Sequence, residues 1–456
     1  MSRLSPAVSR AAPTDHIGPR RGIDGLTVLT VYLVLLCAVP SGLTIAPLGS
    51  SGRPSTVWAL AATLWWCWHQ LQRQVPLARG PRMVPTALIT LIAVAGISYG
   101  CAMLRGLPAD EVSPADNGIL RLAAWAGILL VGTDGLSSAD ELRILLRRIA
   151  WAGGALAALG ILQFLTGSLL LDLWHLAPFT TWDMPNAAGL DQRAGFIRAS
   201  GTAIHPLEYG VVLAMAFPLA LVVATENRSV HRLLPWVPVG LITVASLVSV
   251  SRSTLIGLAV GLLVMLPTLS RRARLSVIGI GAVLAVLLAV LVPGMLGTIR
   301  GLFTGLVADP STASRTSSYD AALDFMSRFP LVGKGFGTFI TRYHIFDNQY
   351  LLLSIELGIL GLAAFVALLI AGILSAARAR RSSTDRRDRQ FAQALIAALT
   401  AGSLMMAFFD GLSFPMSAGM LFLVLGLAGG ASRVFHAAPD PSVSGQSTPG
   451  QSIAIR

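Results

Sequence analysis

The chain has few charged residues for its length. Only 12% of its 456 residues are Asp, Glu, Lys or Arg, whereas about a quarter of the residues in a soluble domain are charged. The charges lie in short islands between apolar runs of about 20 residues, the length that a helix needs to cross a bilayer. This pattern, with a mean hydropathy of +0.70, excludes an ordinary soluble domain.

Cysteines and strand patterns are also scarce. The three cysteines, Cys37, Cys67 and Cys101, all lie inside apolar runs, and an odd number of membrane-buried thiols argues against a disulfide framework or a metal site. The apolar runs are continuous and lack the alternation of a membrane β-barrel. We therefore predict an all-α polytopic membrane protein that uses neither a metal nor a cofactor.

Twelve apolar segments are predicted to be transmembrane helices. They lie near residues 25–47, 55–71, 85–104, 118–135, 149–167, 203–224, 234–250, 254–270, 275–297, 349–375, 391–409 and 414–432. This helical domain, 25–435, is predicted to have two extracytoplasmic loops, 168–202 and 298–348, the second of them directly before the tenth helix. The ends of the chain, 1–24 and 436–456, are predicted to be disordered cytoplasmic tails.

The distribution of arginine predicts the orientation. A net charge of +12 is typical of proteins that bind nucleic acid. Here, however, most of the arginines lie in short loops on one side of the predicted spans. Such loops remain in the cytoplasm. The sequence therefore predicts a multi-pass protein of the bacterial inner membrane, with both termini cytoplasmic and with no nucleic-acid partner.

Four groups of residues on the predicted outer side combine charge with turns or helix starts. They are 198–202 with Arg198 and the nearby His205, 251–254 with Arg252, 315–337 with Arg315 and Lys334, and 347–350 with Asp347 and Asn348, which leads into the tenth span through Glu356.

Each of these groups also has an ordinary structural interpretation. Arg252 could reach a lipid phosphate at a helix end, although an arginine at the edge of the membrane on this side usually has an anionic partner. Asp347 could cap the N-terminus of the tenth helix. The glycine-rich stretch 330–337 is predicted to be a turn, with a phosphate-binding loop as the alternative. His205 precedes a proline at a helix start, where a structural role is common. A buried Glu356 needs a partner in the bundle interior.

The last group resembles the signature of the O-antigen ligase/polymerase family. That signature is His followed by Asn, Ser or Gln, then nine residues, Gly, two residues and Gly. Here Asp347-Asn348 is followed by nine residues and then by Gly358 and Gly361. The three arginine-containing groups agree in order and side, so the resemblance covers roughly residues 150–430.

The resemblance implies an extracytoplasmic, metal-independent inverting glycosyltransferase that acts on undecaprenyl-diphosphate-linked glycans. By position, Arg198, Arg252 and Arg315 match arginines that engage the lipid diphosphate, and Asp347 matches the catalytic His. Because Asp replaces His, the base is either Asp347 or the nearby His344. Asn348, Glu356, Lys334 and His205 are expected to support the site.

We favour a polymerase that joins lipid-linked repeat units, because polymerases of the family vary more at the position of Asp347. The alternatives are a ligase that passes finished glycan to a lipid or protein and, in a different class, a flippase for lipid-linked oligosaccharide. The expected partners are the lipid-linked donor, the glycan acceptor, membrane lipids and a chain-length regulator.

Reporter fusions test the predicted orientation. Fusions after Arg147, Arg272 and Arg386 should report a cytoplasmic position, because short basic loops are retained inside. A tag at Ser317 should be accessible only from outside. A Ser317 tag that reacts only from the cytoplasm would reverse the orientation and move the four groups to the inner face.

Overall fold

The computed structural model describes residues 24–72, 82–171, 179–181, 192–193, 196–226, 233–291, 297 and 310–435. The two tails that the sequence predicts to be disordered, 1–24 and 436–456, lie outside these residues, except for Asp24. The Asp24 carboxylate accepts a hydrogen bond from the Thr27 N–H and caps the first helix.

Helices make up most of the described chain, as predicted. They are α1 (Gly25–Ala38), α2 (Pro54–Leu71), α3 (Met83–Arg105), α4 (Ala109–Asp134), α5 (Ala139–Thr166), α6 (Pro206–Glu226), α7 (Val237–Val248), α8 (Arg252–Met265), α9 (Arg271–Leu291), α10 (Pro310–Arg328), α11 (Gln349–Glu356), α12 (Gly358–Ser382), α13 (Arg386–Met405) and α14 (Pro415–Val434). We call the end of the bundle at which α6, α8 and α14 begin the upper end, which is the predicted outer side.

Six of these helices, namely α3, α4, α5, α6, α12 and α14, are long and apolar enough to cross a membrane. Three shorter apolar helices lie at Gly25–Ala38, Leu234–Val248 and Arg252–Thr268. The protein is therefore a helical membrane protein. Each of the twelve predicted spans contains a helix, but the number of crossings stays a prediction.

Two short antiparallel ribbons accompany the helices. Strand β1 (Leu43–Ile45) pairs with β2 (Phe179–Thr181), so that Thr44 lies opposite Thr180. Strand β3 (Gln192–Arg193) pairs with β4 (Phe196–Ile197). The first predicted span was too long, because α1 ends at Ala38. The backbone of Val39 is extended, as expected for a residue before a proline.

Helices α6 and α14 form the centre of the bundle. In each, 94% of the most apolar stretch is buried inside the protein. Helix α6 packs against α5, α8 and α13, and α14 packs against α4 and α12. A helix that is apolar on every side is expected in such a fully enclosed position.

Helices α4 and α14 approach each other through glycines. A Cβ at Gly426 would lie 2.5 Å from the Leu129 carbonyl oxygen, and one at Gly430 would lie 2.6 Å from the Gly132 carbonyl oxygen. Gly426 and Gly430 are four residues apart, on one face of α14. Such spacing of small residues lets membrane helices pack with their backbones in contact.

Several helices that reach the upper end are too short to span a bilayer fully. Helix α7 has 12 residues and α1 and α8 have 14 each, which correspond to about 18 and 21 Å. The hydrocarbon core is about 30 Å thick. Gly201 packs against Leu156 of α5, ten residues or about 15 Å before that helix ends. We call the part of the upper end around the starts of α6, α8, α11 and α14 the recess.

Replacing Gly426 by Leu should reduce the yield and melting temperature of the purified protein. The side chain cannot fit against the α4 backbone, and overpacking typically costs about 1–3 kcal/mol. The matched control is Gly96→Leu in α3, where an added Cβ meets nothing within 4 Å. Equal melting temperatures of the two variants in detergent would contradict this packing.

Candidate functional site

The carboxylate of Glu208 joins three segments at the upper end. Glu208 lies in the first turn of α6 and is completely buried. Its Oε2 accepts hydrogen bonds from the Ile204 N–H at 2.9 Å and from Ser41 Oγ at 3.1 Å, and its Oε1 accepts one from the Met416 N–H at 2.5 Å. The segment after α1, the start of α6 and the start of α14 are thereby fixed together.

The loop that carries Arg198 is held by Gln163 of α5. The Gln163 side chain accepts a hydrogen bond from the Gly201 N–H at 2.7 Å and donates one to the Gly201 carbonyl oxygen at 2.8 Å. Gly201 has a φ of +62°, a conformation that favours glycine. Thr202 Oγ1 donates to the Cys37 carbonyl oxygen at 2.7 Å. Arg198, which is buried, therefore lies beside a firmly held turn inside the recess.

Arg252 begins α8 directly after a strained turn. Val250 has a φ of +48°, which is an outlier for a β-branched residue. Ser251 caps the helix by accepting a hydrogen bond from the Thr254 N–H at 3.4 Å. The Arg252 side chain is only 8% exposed, so it is enclosed by protein. The alternative in which Arg252 reaches out to a lipid phosphate is therefore wrong.

The N-terminus of α11 is capped by Asn348. Asn348 Oδ1 accepts hydrogen bonds from the N–H groups of Tyr350 and Leu351 at 2.9 and 3.3 Å. The alternative that made Asp347 the cap is therefore wrong. Asp347 is half-buried, and its carboxylate makes no hydrogen bond or ion pair with any other residue that the structure describes.

The turn between α13 and α14 holds the start of α11. The Gln349 N–H donates to the Met406 carbonyl oxygen at 2.8 Å, and Gln349 Oε1 accepts a hydrogen bond from the Leu412 N–H at 2.7 Å. Asp410 lies in this turn. Burial, with a smaller contribution from the Asp347 carboxylate, raises the pKa of Asp410 to about 6. The two carboxylates are therefore close enough to interact.

His344 and Arg315 are linked to the site through α10. His344 Nε2 lies 3.0 Å from Ser318 Oγ, and the His344 ring lies 4.7 Å from that of Phe346. Helix α10 packs through Ala322 against a small apolar cluster that includes Phe346. Arg315 precedes Ser318 by about one helical turn, but its side chain lies outside the part that the structure describes.

The glycine-rich stretch 330–337 is a turn, as predicted, and it supports the junction of α11 and α12. The N–H groups of Lys334 and Gly335 donate to the carbonyl oxygens of Ile355 and Glu356, both at 2.9 Å. Because these N–H groups are already bound to carbonyls, the alternative of a phosphate-binding loop is wrong. Glu356 Oε1 also accepts a hydrogen bond from the Phe339 N–H at 3.3 Å.

Lys334 is held by Glu111 at the start of α4. Lys334 Nζ donates to Glu111 Oε1 at 2.7 Å, and Arg342 Nη2 donates to the same oxygen at 2.9 Å. The Tyr343 hydroxyl also donates to it. Glu111 is completely buried. This network fastens the segment 334–343 to α4, so Lys334 positions the segment that leads to Asp347.

His205 has a structural position. Its Nδ1 accepts a hydrogen bond from the Leu207 N–H at 3.1 Å, and its ring lies 5.7 Å from that of Phe414. It therefore caps the start of α6 from the side facing α14. A role beyond this support stays a prediction.

The structure adds Arg53, Arg121, Glu208 and Asp410 to the charged groups of the recess. Arg53 Nε donates to the Ser41 carbonyl oxygen at 3.2 Å. Burial lowers the pKa of Arg53 to about 10, which leaves it cationic at neutral pH. Arg121 of α4 lies within electrostatic reach of Arg53 and of Glu356. In the sequence, each of these four added residues could have been recognised as a charge within, or next to, an apolar run.

The starts of α6, α8, α11 and α14 thus carry buried arginines and carboxylates at the same end of the bundle. Buried guanidinium groups favour a multiply charged anion, which they can bind in a bidentate manner. A carboxylate beside them can accept a proton from a hydroxyl group. In the described residues, no cluster of three or more His, Cys, Asp or Glu side chains could hold a metal ion.

Comparison with known families agrees with this arrangement. Residues 237–366 match the model of the O-antigen ligase family, and the predicted resemblance is thereby confirmed. The matched segment begins with α7 and ends within α12, so it includes Arg252, Arg315 and Asp347 but not Arg198. No curated protein matches the chain.

The pKa of Asp410 predicts a pH dependence of stability. The folded protein retains the Asp410 proton up to about pH 6, whereas an ordinary Asp releases it near 3.8. The contribution of Asp410 is therefore fully present below about pH 4 and is lost as the pH rises through 6. Asp410→Asn should remove this dependence, so the melting temperature should fall less between pH 4 and 7 than in the wild type. Parallel curves for both proteins would contradict the raised pKa.

Proposed function

We propose that this chain, in which residues 237–366 match the O-antigen ligase family, is an extracytoplasmic glycosyltransferase that polymerises undecaprenyl-diphosphate-linked repeat units into cell-surface polysaccharide. One observation carries the proposal. The recess holds buried Arg198 and Arg252, together with Asp347, which is released from capping by Asn348. Cations for a diphosphate and a base for a hydroxyl group are the two requirements of this reaction.

The arginines bind and activate the donor. Outside the membrane no nucleotide sugar is available, so the glycan arrives already activated on its lipid diphosphate. The guanidinium groups of Arg198, Arg252 and Arg315 match the diphosphate oxygens in a bidentate manner. They stabilise the negative charge that grows on the diphosphate as it leaves. A partly dry recess strengthens this effect.

Asp347 acts as the general base. It accepts the proton of the acceptor hydroxyl while that oxygen attacks the anomeric carbon. The bond from this carbon to the diphosphate oxygen breaks, and attack from the opposite face inverts the anomeric centre. No metal is needed, because the arginines neutralise the leaving group. His344 is the alternative base, and its contact with Ser318 leaves one ring nitrogen outside that hydrogen bond.

The proposed setting is the bacterial inner membrane, with twelve crossings and both termini in the cytoplasm. Donor and acceptor then meet on the outer side, at the upper end of the bundle. The partners would be the lipid-linked oligosaccharide, the glycan acceptor, membrane lipids and a chain-length regulator.

The second candidate is a ligase that transfers finished glycan to a lipid or protein acceptor. The name of the matching family favours it, and the same recess would serve, because only the acceptor differs. A flippase fits less well. Lipid-linked oligosaccharide would need polar groups along a path through the bundle, whereas α6 and α14 are apolar and buried along most of their length.

Asp347→Asn should separate catalysis from folding. Since Asn348 already caps α11, the variant should keep the wild-type melting temperature. It should form polymer at least ~100-fold more slowly, because an amide cannot accept the proton. The assay is polymer formation by purified protein from lipid-linked repeat units without added divalent metal. Wild-type turnover in the Asn variant would indicate that His344 is the base. The His344→Gln variant would then test that assignment.

Arg252→Ala should abolish polymer formation while the protein is still inserted normally. Arg252→Lys should restore little activity, because an ammonium group cannot form the bidentate contact. Arg272→Ala, at the opposite end of the bundle, is the matched control and should remain active. Full activity of Arg252→Ala would show that this arginine does not bind the diphosphate.

A further inference from the structure

A groove runs along the surface between α1 and α5, away from the charged recess. Its volume is about 540 Å³, and its walls are almost entirely apolar. Val34 and Ala38 line it on α1, and Ala155 and Leu159 line it on α5. Val34 is 55% exposed, so the groove is open on the side that faces the membrane.

The end of the groove away from the recess carries one cation. Arg148 lines it there, exposed, and its guanidinium donates to Thr30 Oγ1. The neighbouring cations Arg143 and Arg147 are already held in ion pairs with acidic side chains. Among the described residues, Arg148 has no such ion pair. Trp151, one turn further along α5, is 41% exposed, and exposed tryptophans favour the headgroup level of a bilayer.

An anion lies just beyond this cation. Asp24 caps α1 six residues before Thr30, about 9 Å further from the centre of the membrane. Hydrogen bonds from Thr27 hold the pKa of Asp24 below its usual value, and the Arg148 guanidinium lowers it further. Outward from the mouth of the groove, the positive charge of Arg148 therefore comes first and the negative charge of Asp24 second.

We propose that this groove binds a zwitterionic phospholipid with a primary ammonium, of the phosphatidylethanolamine type, in the leaflet opposite the recess. Its phosphate lies on Arg148, its ammonium on Asp24 and one acyl chain in the groove. The length fits one leaflet. From Arg148 to Leu159 the rise is about 16 Å, roughly half of the ~30 Å hydrocarbon core. The order of charges selects this headgroup over one with a net negative charge.

The site is independent of the proposed reaction, but it contacts the structure that supports the recess. Cys37, which accepts the hydrogen bond from Thr202, lines the groove, as does Thr202 itself. An acyl chain in the groove therefore packs against the backbone on which the loop of Arg198 rests. Occupancy should stabilise that loop.

Native mass spectrometry of the full-length protein tests the proposal. Purified protein is exchanged into vesicles that contain equal parts of phosphatidylethanolamine, phosphatidylglycerol and phosphatidylcholine, and the retained lipids are counted. We expect about tenfold preferential retention of phosphatidylethanolamine, the selectivity expected for one charge-assisted contact. Arg148→Gln should remove most retention. Asp24→Asn should remove the preference over phosphatidylcholine, whose quaternary ammonium donates no hydrogen bond.

Ala155→Phe tests the groove without altering a charge. Ala155 is exposed in the groove, and a phenyl ring there should displace the acyl chain and abolish retention. Ala282→Phe on the exposed surface of α9 is the matched control and should retain the lipid. Equal retention of the three lipids, unchanged retention in Ala155→Phe, or displacement of the lipid by a polyprenyl phosphate would overturn the proposal.

Discussion

The arrangement of the upper end depends on the buried carboxylate of Glu208. A buried charge is tolerated only where hydrogen bonds replace its water. Here three donors from three segments do so. This interaction fixes the start of α6 against the start of α14, and the turn before α14 in turn holds Gln349 and the start of α11. The start of α11, and with it Asp347, therefore depends on a turn whose partner helix is fixed by this carboxylate, while Gln163 holds the loop of Arg198.

The second constraint is the short length of three helices that reach the upper end. Helices α1, α7 and α8 have 14, 12 and 14 residues, so each is shorter than the ~30 Å hydrocarbon core. Buried arginines at the upper end interact more strongly with an anion than they would in water, since the surroundings are less polar. The same burial makes an unpaired charge unfavourable. Glu208 attracts the buried Arg53 and Glu356 attracts Arg121, and these attractions offset part of the cost.

Much of this architecture could be predicted from the sequence. The length of the apolar runs predicted the helices, and the signature at Asp347 with the order of Arg198 and Arg252 predicted the resemblance to the O-antigen ligase family. The rest depended on contacts between distant segments. Asn348 rather than Asp347 caps α11, because the cap is decided by the direction in which the chain enters the helix. Asp410 was not predicted to be a site residue, because its proximity to Asp347 arises only when the turn folds. The turn that joins α7 to α8 is buried rather than exposed, which the length of the apolar runs could not show.

The central claim is that the recess forms a glycosidic bond at the expense of a lipid diphosphate. The most direct test places the purified wild-type protein in vesicles with a fluorescent lipid-linked repeat unit. Polymer length and free polyprenyl diphosphate are then measured together. We predict a ladder of products with one diphosphate released for each bond formed. Movement of the intact lipid-linked unit between leaflets, with no diphosphate released and no longer product, would contradict it.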